Sequence, residues 1–385
     1  MPESPPESAS SSLLWDIIRY IIVAVASGFI WYYCFYTPVT YSSKEYIGET
    51  MGTKYSVKVA QFPDNKNWKD VTAAIQNRLD RLDQMMSTYK PDSEVSRFNA
   101  STSTDDWFPV SKEVVSLVRA SSEFSVLSEE AFDITVAPLV RHWGFGAGGG
   151  SRPARSFEEL KSAAVLLKEQ TGWKKLSSQL EPPALKKAIP ELMIDLSAIA
   201  KGFAVDSIAE LLEEQKITDY MIEVGGEVRS KGKKDKNKNK DWIVGIEKPT
   251  QEFTGHQQTL ILGDKSLATS GNYIQTVEIG GQRISHIIDP RSGLPSQTDS
   301  GQGELVSAAV VAPTCTIADA WATALFVLGE QKGTELADLL GIPVLFLLRN
   351  GDEIIEVPSK QWDSKQWDSK QWGTRAAPYL ARLRL

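Results

Sequence analysis

Residues Ile194–Asp206 place Asp195, Ser197, Lys201 and Gly202 inside an otherwise apolar run. A carboxylate and an ammonium are costly to bury unless each has a partner. Two readings are open. Either the charges serve a charged ligand, or Asp195 caps a helix while Lys201 reaches out to water. A second segment, Thr314–Leu325, reads as a helix on which Asp319 and Thr323 lie four residues apart and so share one face. A carboxylate and a hydroxyl on a helix of small residues suit a hard, oxygen-seeking cation such as Mg²⁺. The plainer alternative is an Asp near a helix start and a Thr bonded back to its own turn.

These two segments belong to an ordered series. Met51-Gly-Thr-Lys-Tyr55 comes first, then Met86-Ser-Thr-Tyr89 with Ser93-Glu-Val-Ser-Arg-Phe-Asn99, then Ala131-Phe-Asp-Ile-Thr-Val-Ala-Pro-Leu139. After the Asp195–Asp206 segment come Ile222-Glu-Val-Gly-Gly-Glu-Val228, Ser270-Gly-Asn-Tyr273, His286-Ile-Ile-Asp-Pro-Arg-Ser-Gly293 and the Asp319/Thr323 helix. Over about residues 45–350 the series resembles the ApbE family, the FAD:protein FMN transferases.

The resemblance implies Mg²⁺-dependent transfer of FMN from FAD to a Thr or Ser hydroxyl of another protein, with release of AMP. Asp319 and Thr323 would be the metal ligands, with the Ala198 carbonyl as third donor by motif match. Met51 and Tyr89 would bound the isoalloxazine or the adenine. Ala131, Phe132 and Asp133 would contact the nucleotide largely through backbone, although Asp133 equally fits a cap of the turn that follows it. Ile287 falls within the His286 motif and is carried over with it as a nucleotide contact. Asp195 would touch the nucleotide or fix its loop through backbone amides, and Lys201 is a candidate point charge on the phosphates. His286 would take the acceptor's proton, or else hold the Asp289-Pro290 turn as a structural histidine. Acceptors would be flavoproteins such as membrane redox-pump subunits. The chain itself lacks an acceptor motif of the Asp-x-x-(Ser/Thr)-Gly-Ala-(Ser/Thr) type.

Two other functions share these residues. An FAD pyrophosphatase would use water in place of the protein hydroxyl, and a membrane-anchored flavin-binding protein would have no turnover. The Asp319/Thr323 pair speaks against the last, because binding alone does not call for a catalytic metal.

The chain has 385 residues, 42% of them hydrophobic, and a net charge of −7, so nothing global suggests nucleic acid. Its two cysteines, Cys34 and Cys315, lie in unlike segments and suggest neither a disulfide nor a zinc site. The histidines are His142, His256 and His286. His256 stands in a polar stretch, and His142 adjoins a glycine-rich segment where it could touch ligand or solvent.

Positioning these residues requires an α+β fold, because strands and helices mix without βαβ alternation. Mixed sheets flanked by helices are expected over a domain spanning 45–357. Residues 1–12 are Pro/Ser/Glu-rich and read as disordered. Residues 13–36, with an aromatic cluster at Trp31–Tyr33, read as a membrane anchor or signal segment; an uncleaved transmembrane helix is preferred over a cleaved signal peptide or a core helix. The resemblance then implies a single-pass inner-membrane protein with its catalytic domain on the extracytoplasmic side.

Within the domain, Tyr46–Val59 reads as a strand or hairpin, and Trp68–Met86, Ser111–Leu127 (Ser111 as cap) and Phe157–Glu169 as helices. Gly144–Gly150, followed by Arg152 and Arg155, reads as a mobile loop that fits neither a P-loop nor a dinucleotide fingerprint. Further strands are expected at Tyr220–Val228, with a bulge or a close backbone approach at Gly225-Gly226, and at Leu260–Leu267, Tyr273–Val277, Ser307–Ala312 and Val344–Leu348. An Asn350-Gly351 turn would lead into Glu353–Val357. The lysine-rich Lys231–Lys240 reads as a solvated hairpin tip, and 358–385, with its Ser-Lys-Gln-Trp-Asp repeats, as a low-complexity tail.

Overall fold

The computed structural model describes residues 10–35, 41–147, 156–235, 238–249, 255–272, 276–279, 282–296 and 303–362. Two compact units are distinguished. Met1–Ser42 with Phe62–Asn67 forms one, and Ser43–Gln61 with Trp68–Leu385 the other.

The first unit carries helix α1 (Ser10–Phe35). Among the described residues no helix is long and apolar enough to cross a membrane. Asp16 and Arg19 leave only Tyr20–Phe35 of α1 uncharged, about 24 Å at 1.5 Å per residue, against a hydrocarbon core of about 30 Å. The expected transmembrane anchor, and the single-pass placement built on it, find no support in this helix. Residues 1–9, at the start of the disorder expected for 1–12, lie outside the described residues.

The second unit is built on an eight-stranded sheet. Its strands are β1 (Tyr41–Thr50), β2 (Thr53–Pro63), β3 (Tyr220–Val224), β4 (Glu227–Lys231), β5 (Ser266–Gly271), β6 (Glu304–Ala312), β7 (Val344–Asn350) and β8 (Glu353–Pro358). They stand side by side in chain order. From β2 to β8 every pairing is antiparallel. The sheet is thus a meander whose long insertions carry the helices. These are α2 (Trp68–Met86), α3 (Glu94–Ala100), α4 (Lys112–Leu127), α5 (Ala137–His142), α6 (Phe157–Leu167), α7 (Ser197–Glu214) and α8 (Cys315–Leu340). The α+β expectation holds.

Local chemistry sets these bounds. Helix α2 buries Val71, Ile75, Leu79 and Leu82 at helical spacing. Helix α4 starts where the Ser111 hydroxyl accepts from Val114 N. Helix α8 is broken by a kink at Gly329, whose φ is +79°, and ends at Gly341, whose φ of 76° is left-handed. Pleating divides the fully buried β6 between two faces. Ala309 and Val311 join Leu345, Leu347 and the small hairpin Ile243–Glu247/His256–Ile261 in one core. Ala308, Val310 and Ala312 point the other way, where α8 packs.

Three expectations are revised. Tyr220–Val228 is not one bulged strand but the hairpin β3–β4, because Gly225 and Gly226 both take left-handed φ and turn the chain. Leu260–Leu267 divides at Gly263, whose φ is +63°. The domain extends past 357: Trp362 is only 9% exposed, and its Nε1 donates to Gln258 Oε1 at 3.1 Å. The rest of the tail, residues 148–155 of the glycine-rich segment, and 273–275 of an expected strand lie outside the described residues. The lysine-rich segment closes with a bridge between Asp235 and Lys240, and Lys231, Lys233 and Lys238 pair with Glu213, Asp241 and Asp235. That arrangement matches a solvated hairpin tip.

Candidate functional site

The centre of the site is the crossing of α7 and α8. Helix α7 opens where Asp195 Oδ1 accepts from Ser197 N at 2.9 Å and Ser197 Oγ at 2.5 Å. Farther along, Asp206 accepts from the backbone amides of Cys315 (2.9 Å) and Thr316 (2.8 Å) and from the Thr316 hydroxyl (2.6 Å). A carboxylate of one helix therefore satisfies the free amides that open the other, where the helix dipole favours negative charge. Arg229 Nη1, 2.6 Å from Asp206 Oδ1, balances it.

Between these two contacts stands Gly202. A Cβ there would lie 2.4 Å from the Cys315 carbonyl oxygen and 2.8 Å from Asp319 Cβ, so only glycine allows the helices this close. Its backbone N–H donates to Asp319 Oδ2 at 2.9 Å.

The adjacent Lys201 forms an ion pair and hydrogen bond with Glu227, at the start of β4. Glu227 is 1% exposed, whereas the Lys201 side chain is 32% exposed, so the ammonium sits at the mouth of a buried charge. Burial pushes the Glu227 carboxyl up to about 8 despite Lys201. Burial also raises Asp319, with Lys201 and the Gly202 amide opposing. For Lys201, burial alone would depress the ammonium, but the charges of Glu227 and Asp319 outweigh it and hold it above the ordinary lysine range. Glu227 Oε2 is buried without a hydrogen-bond partner. Burial raises both the Glu227 and the Asp319 carboxyl in spite of the neighbouring Lys201. Such a site is short of positive charge.

That shortage is the test for a metal, and the residues fit a hard cation. Gly202 N–H is the donor that in an α-helix points at the Ala198 carbonyl. Because it also lies 2.9 Å from Asp319 Oδ2, the buried carboxylate and that carbonyl are near neighbours. Thr323, one turn beyond Asp319, has its Oγ1 3.0 Å from Ser270 Oγ. Among the described residues no group of three or more His, Cys, Asp or Glu is arranged to hold a metal ion. The donors here are one carboxylate, one hydroxyl and one carbonyl, a set for Mg²⁺ that would keep waters and take substrate oxygens.

The nucleotide candidates lie on several other segments. Met51 sits with Gly52 in the β1–β2 turn at φ +48°, a left-handed conformation rare for a side chain of its kind. The Gly225–Gly226 turn lies against the same end of the sheet, with Gly225 N bonded to Lys54 O at 3.0 Å. Tyr89 is 70% exposed, a free aromatic face. Its phenol is raised by burial and then by the Asp195 charge. Ala131 and Phe132 are buried, and Phe132 packs on Phe124 at 5.7 Å. Both oxygens of Asp133 are engaged, Oδ1 by Thr135 N and Oγ1 and Oδ2 by Trp173 N, so its side chain caps the turn after it.

His286 and the buried Ile287 stand on a separate segment, with the His286 ring edge-on to Phe145 at 6.2 Å. Asp289 makes its turn, holding the Arg291 guanidinium through both oxygens at 2.9 Å. His142 is structural, with Nε2 2.8 Å from the Leu160 carbonyl inside the protein. The residues not singled out from sequence are Glu227, Asp206, Arg229 and Ser270. All four lay within quoted motifs or next to them, but their roles depend on contacts between distant segments.

An α+β meander that buries two carboxyls beside a half-covered lysine carries the equipment of a phosphate-handling transferase. The family model described as "ApbE family" matches residues 51–346, and the chain belongs to that family. A FAD:protein FMN transferase of Vibrio cholerae is 39% identical over 318 residues, covering 82% of this chain and 90% of the relative. That of Escherichia coli K12 is 36% identical over 319 residues, covering 82% and 87%. Among solved structures, the flavin transferase ApbE from Vibrio cholerae aligns with a TM-score of 0.71 at 37% identity, covering 83% of this chain and 98% of that one. The apo form of the Pseudomonas stutzeri flavinyl transferase ApbE aligns at 0.73 with 32% identity, covering 88% and 99%.

Proposed function

We infer that this chain is an enzyme that transfers FMN from FAD to a Ser or Thr hydroxyl of another protein and releases AMP. The observation that carries the reading is the Lys201–Glu227–Asp319 cluster at the α7–α8 crossing of a chain in this family. The chemistry is attack by a neutral hydroxyl on a doubly charged pyrophosphate. The new bond joins the acceptor oxygen to the FMN phosphorus, the bond to the AMP oxygen breaks, and the hydroxyl proton must leave.

Each task has a candidate in this chain. Lys201, held in one place by Glu227, presents a fixed positive charge to the phosphates. Asp319, Thr323 and the Ala198 carbonyl would hold Mg²⁺, which when bound neutralises pyrophosphate charge. Tyr89 and Met51 bound the ring system, and Asp195 Oδ2 is left for the nucleotide while Oδ1 opens α7. Ala131, Phe132 and Ile287 supply backbone and apolar walls, and His286 takes the acceptor's proton.

The test is incubation of the full chain with FAD and Mg²⁺, with and without a flavoprotein acceptor domain. A denaturing gel reads covalent flavin fluorescence, and released AMP is assayed alongside. A fluorescent acceptor band that disappears with chelator supports the transferase. AMP without any labelled band would replace it with an FAD pyrophosphatase. Bound FAD with neither product would leave only a flavin-binding protein.

A further inference from the structure

The motif Ser93–Asn99 is not absorbed by the chemistry above, yet it joins two parts of the site. At its start, the Ser87 hydroxyl accepts from Tyr89 N (3.1 Å) and Lys90 N (3.2 Å), which folds the Tyr89 loop. The Ser87 carbonyl in turn accepts from Ser93 Oγ (2.5 Å) and Ser96 Oγ (3.1 Å), so the loop is fastened to the first turn of α3. At the other end of α3, Asn99 Nδ2 donates to the Ile194 carbonyl and Asn99 Oδ1 accepts from Ile194 N, both at 2.8 Å. A primary amide is the side chain that can donate and accept side by side as a neighbouring strand would.

Ile194 is the residue before Asp195, whose own N–H is fixed by the Ile134 carbonyl at 2.7 Å. Behind α3, the buried Lys187 ammonium donates to the carbonyls of Asn99 (3.2 Å) and Ser101 (2.6 Å) and lies 4.9 Å from the Phe98 ring centre. One short helix, locked from behind, therefore grips the Tyr89 loop with one end and the Asp195 segment with the other.

We propose that Asn99 is a positioning residue for FAD binding, which through its two bonds to Ile194 sets the spacing between Tyr89 and Asp195. Asn99 acts through α3 and Ile194 on groups that touch the nucleotide. The proposal rests on the transferase reading, and its test separates the two.

The experiment measures FAD dissociation constants by flavin fluorescence, and KM and kcat for FMN transfer, on the full chain. Asn99→Ala removes both bonds. Asn99→Asp keeps the shape but sets a carboxylate against the Ile194 carbonyl. Each should weaken FAD binding and raise KM by about tenfold or more, with kcat within about threefold of wild type. Because Asn99 works through the Tyr89–Asp195 spacing, adding Asn99→Ala to Tyr89→Ala should produce little further weakening. Ser96→Ala, which loosens only the loop end, should weaken binding by roughly threefold. Trp362→Ala, far from the site in sequence and role, destabilises the domain and should leave FAD affinity unchanged.

FAD binding by Asn99→Ala within twofold of wild type overturns the proposal. So does a double variant whose losses multiply, or equal weakening in Trp362→Ala, which would make the effect one of general stability. If Asn99→Ala does not fold, Ser96→Ala decides, and unchanged affinity there overturns the proposal. A wild-type chain that binds no FAD instead removes the transferase reading, and this proposal with it.

Discussion

Gly202→Ala puts the α7–α8 crossing under direct strain. Inside a helix, alanine in place of glycine ordinarily gains about 1 kcal/mol. Here the added Cβ would stand 2.4 Å from the Cys315 oxygen, 2.7 Å from its carbonyl carbon and 2.8 Å from Asp319 Cβ. Ordinary contact lies at roughly 3.5–4.0 Å, and the obstacle is backbone that Asp206 fastens in place. The helices would have to part by about 1 Å, at an overpacking cost of about 1–3 kcal/mol. The Gly202–Asp319 hydrogen bond, at 2.9 Å, would be lost with them, a further ~1.5–3 kcal/mol for a charged acceptor. Set against the propensity gain, the net destabilisation is about 1.5–5 kcal/mol. Urea unfolding of the full chain measures it. Transfer should fall by about a hundredfold, since a 1 Å displacement at a reacting centre has that effect. As a control, Gly351→Ala, at φ +61° in open space, should lose only about 1–2 kcal/mol of backbone strain and no activity. A Gly202→Ala protein as stable as wild type, with transfer within threefold, would refute the crossing as described.

Other expectations follow from the same geometry. Glu227→Gln keeps the shape but strips Lys201 of its countercharge, so transfer should drop about tenfold to a hundredfold while the fold is retained; circular dichroism and FMN-transfer rates read the two. Asp319→Asn should abolish Mg²⁺ binding in titration calorimetry without FAD, while FAD affinity changes little. Burial holds the Lys187 ammonium down to about 8 from 10.5. The folded state therefore binds this proton less readily than the unfolded state. Its stabilising contribution is full above 10.5 and lost as pH falls through 8. Lys187→Met should flatten that rise in stability between pH 8 and 10.5, as read by denaturant midpoints. Trp362→Ala should destabilise by about 3 kcal/mol in thermal melts.

The helices were legible because their signals are local. Val71, Ile75, Leu79 and Leu82 carry the period of α2, and Ser111 is a cap wherever it folds. Asp319 and Thr323 were placed on one helix by the same kind of signal, a spacing of four, and both lie on α8. Glu227 and Asp206 were not legible, because their partners arrive from distant segments and no local pattern records them. Gly225-Gly226 was read as a bulge or a close backbone approach because two glycines in an apolar run fit either a bulge or a turn. Only the pairing of Val224 with Glu227 decides for the turn. His142 beside a glycine-rich stretch suggested a ligand contact, but the Leu160 carbonyl takes its ring nitrogen. The membrane reading of the apolar N-terminal helix rested on aromatics that resemble an interface belt, while its uncharged length falls short.

Gly202 and Asp319 touch across 117 residues of chain, and β4 and β5 must be laid between them. No fragment that stops before α8 can assemble the centre, however well its own helices form. During synthesis the site therefore comes into being late, when α8 docks under the Asp206 cap and closes one of the longest loops in the fold. A chain stalled or cut before residue 315 would therefore lack the α7–α8 crossing altogether.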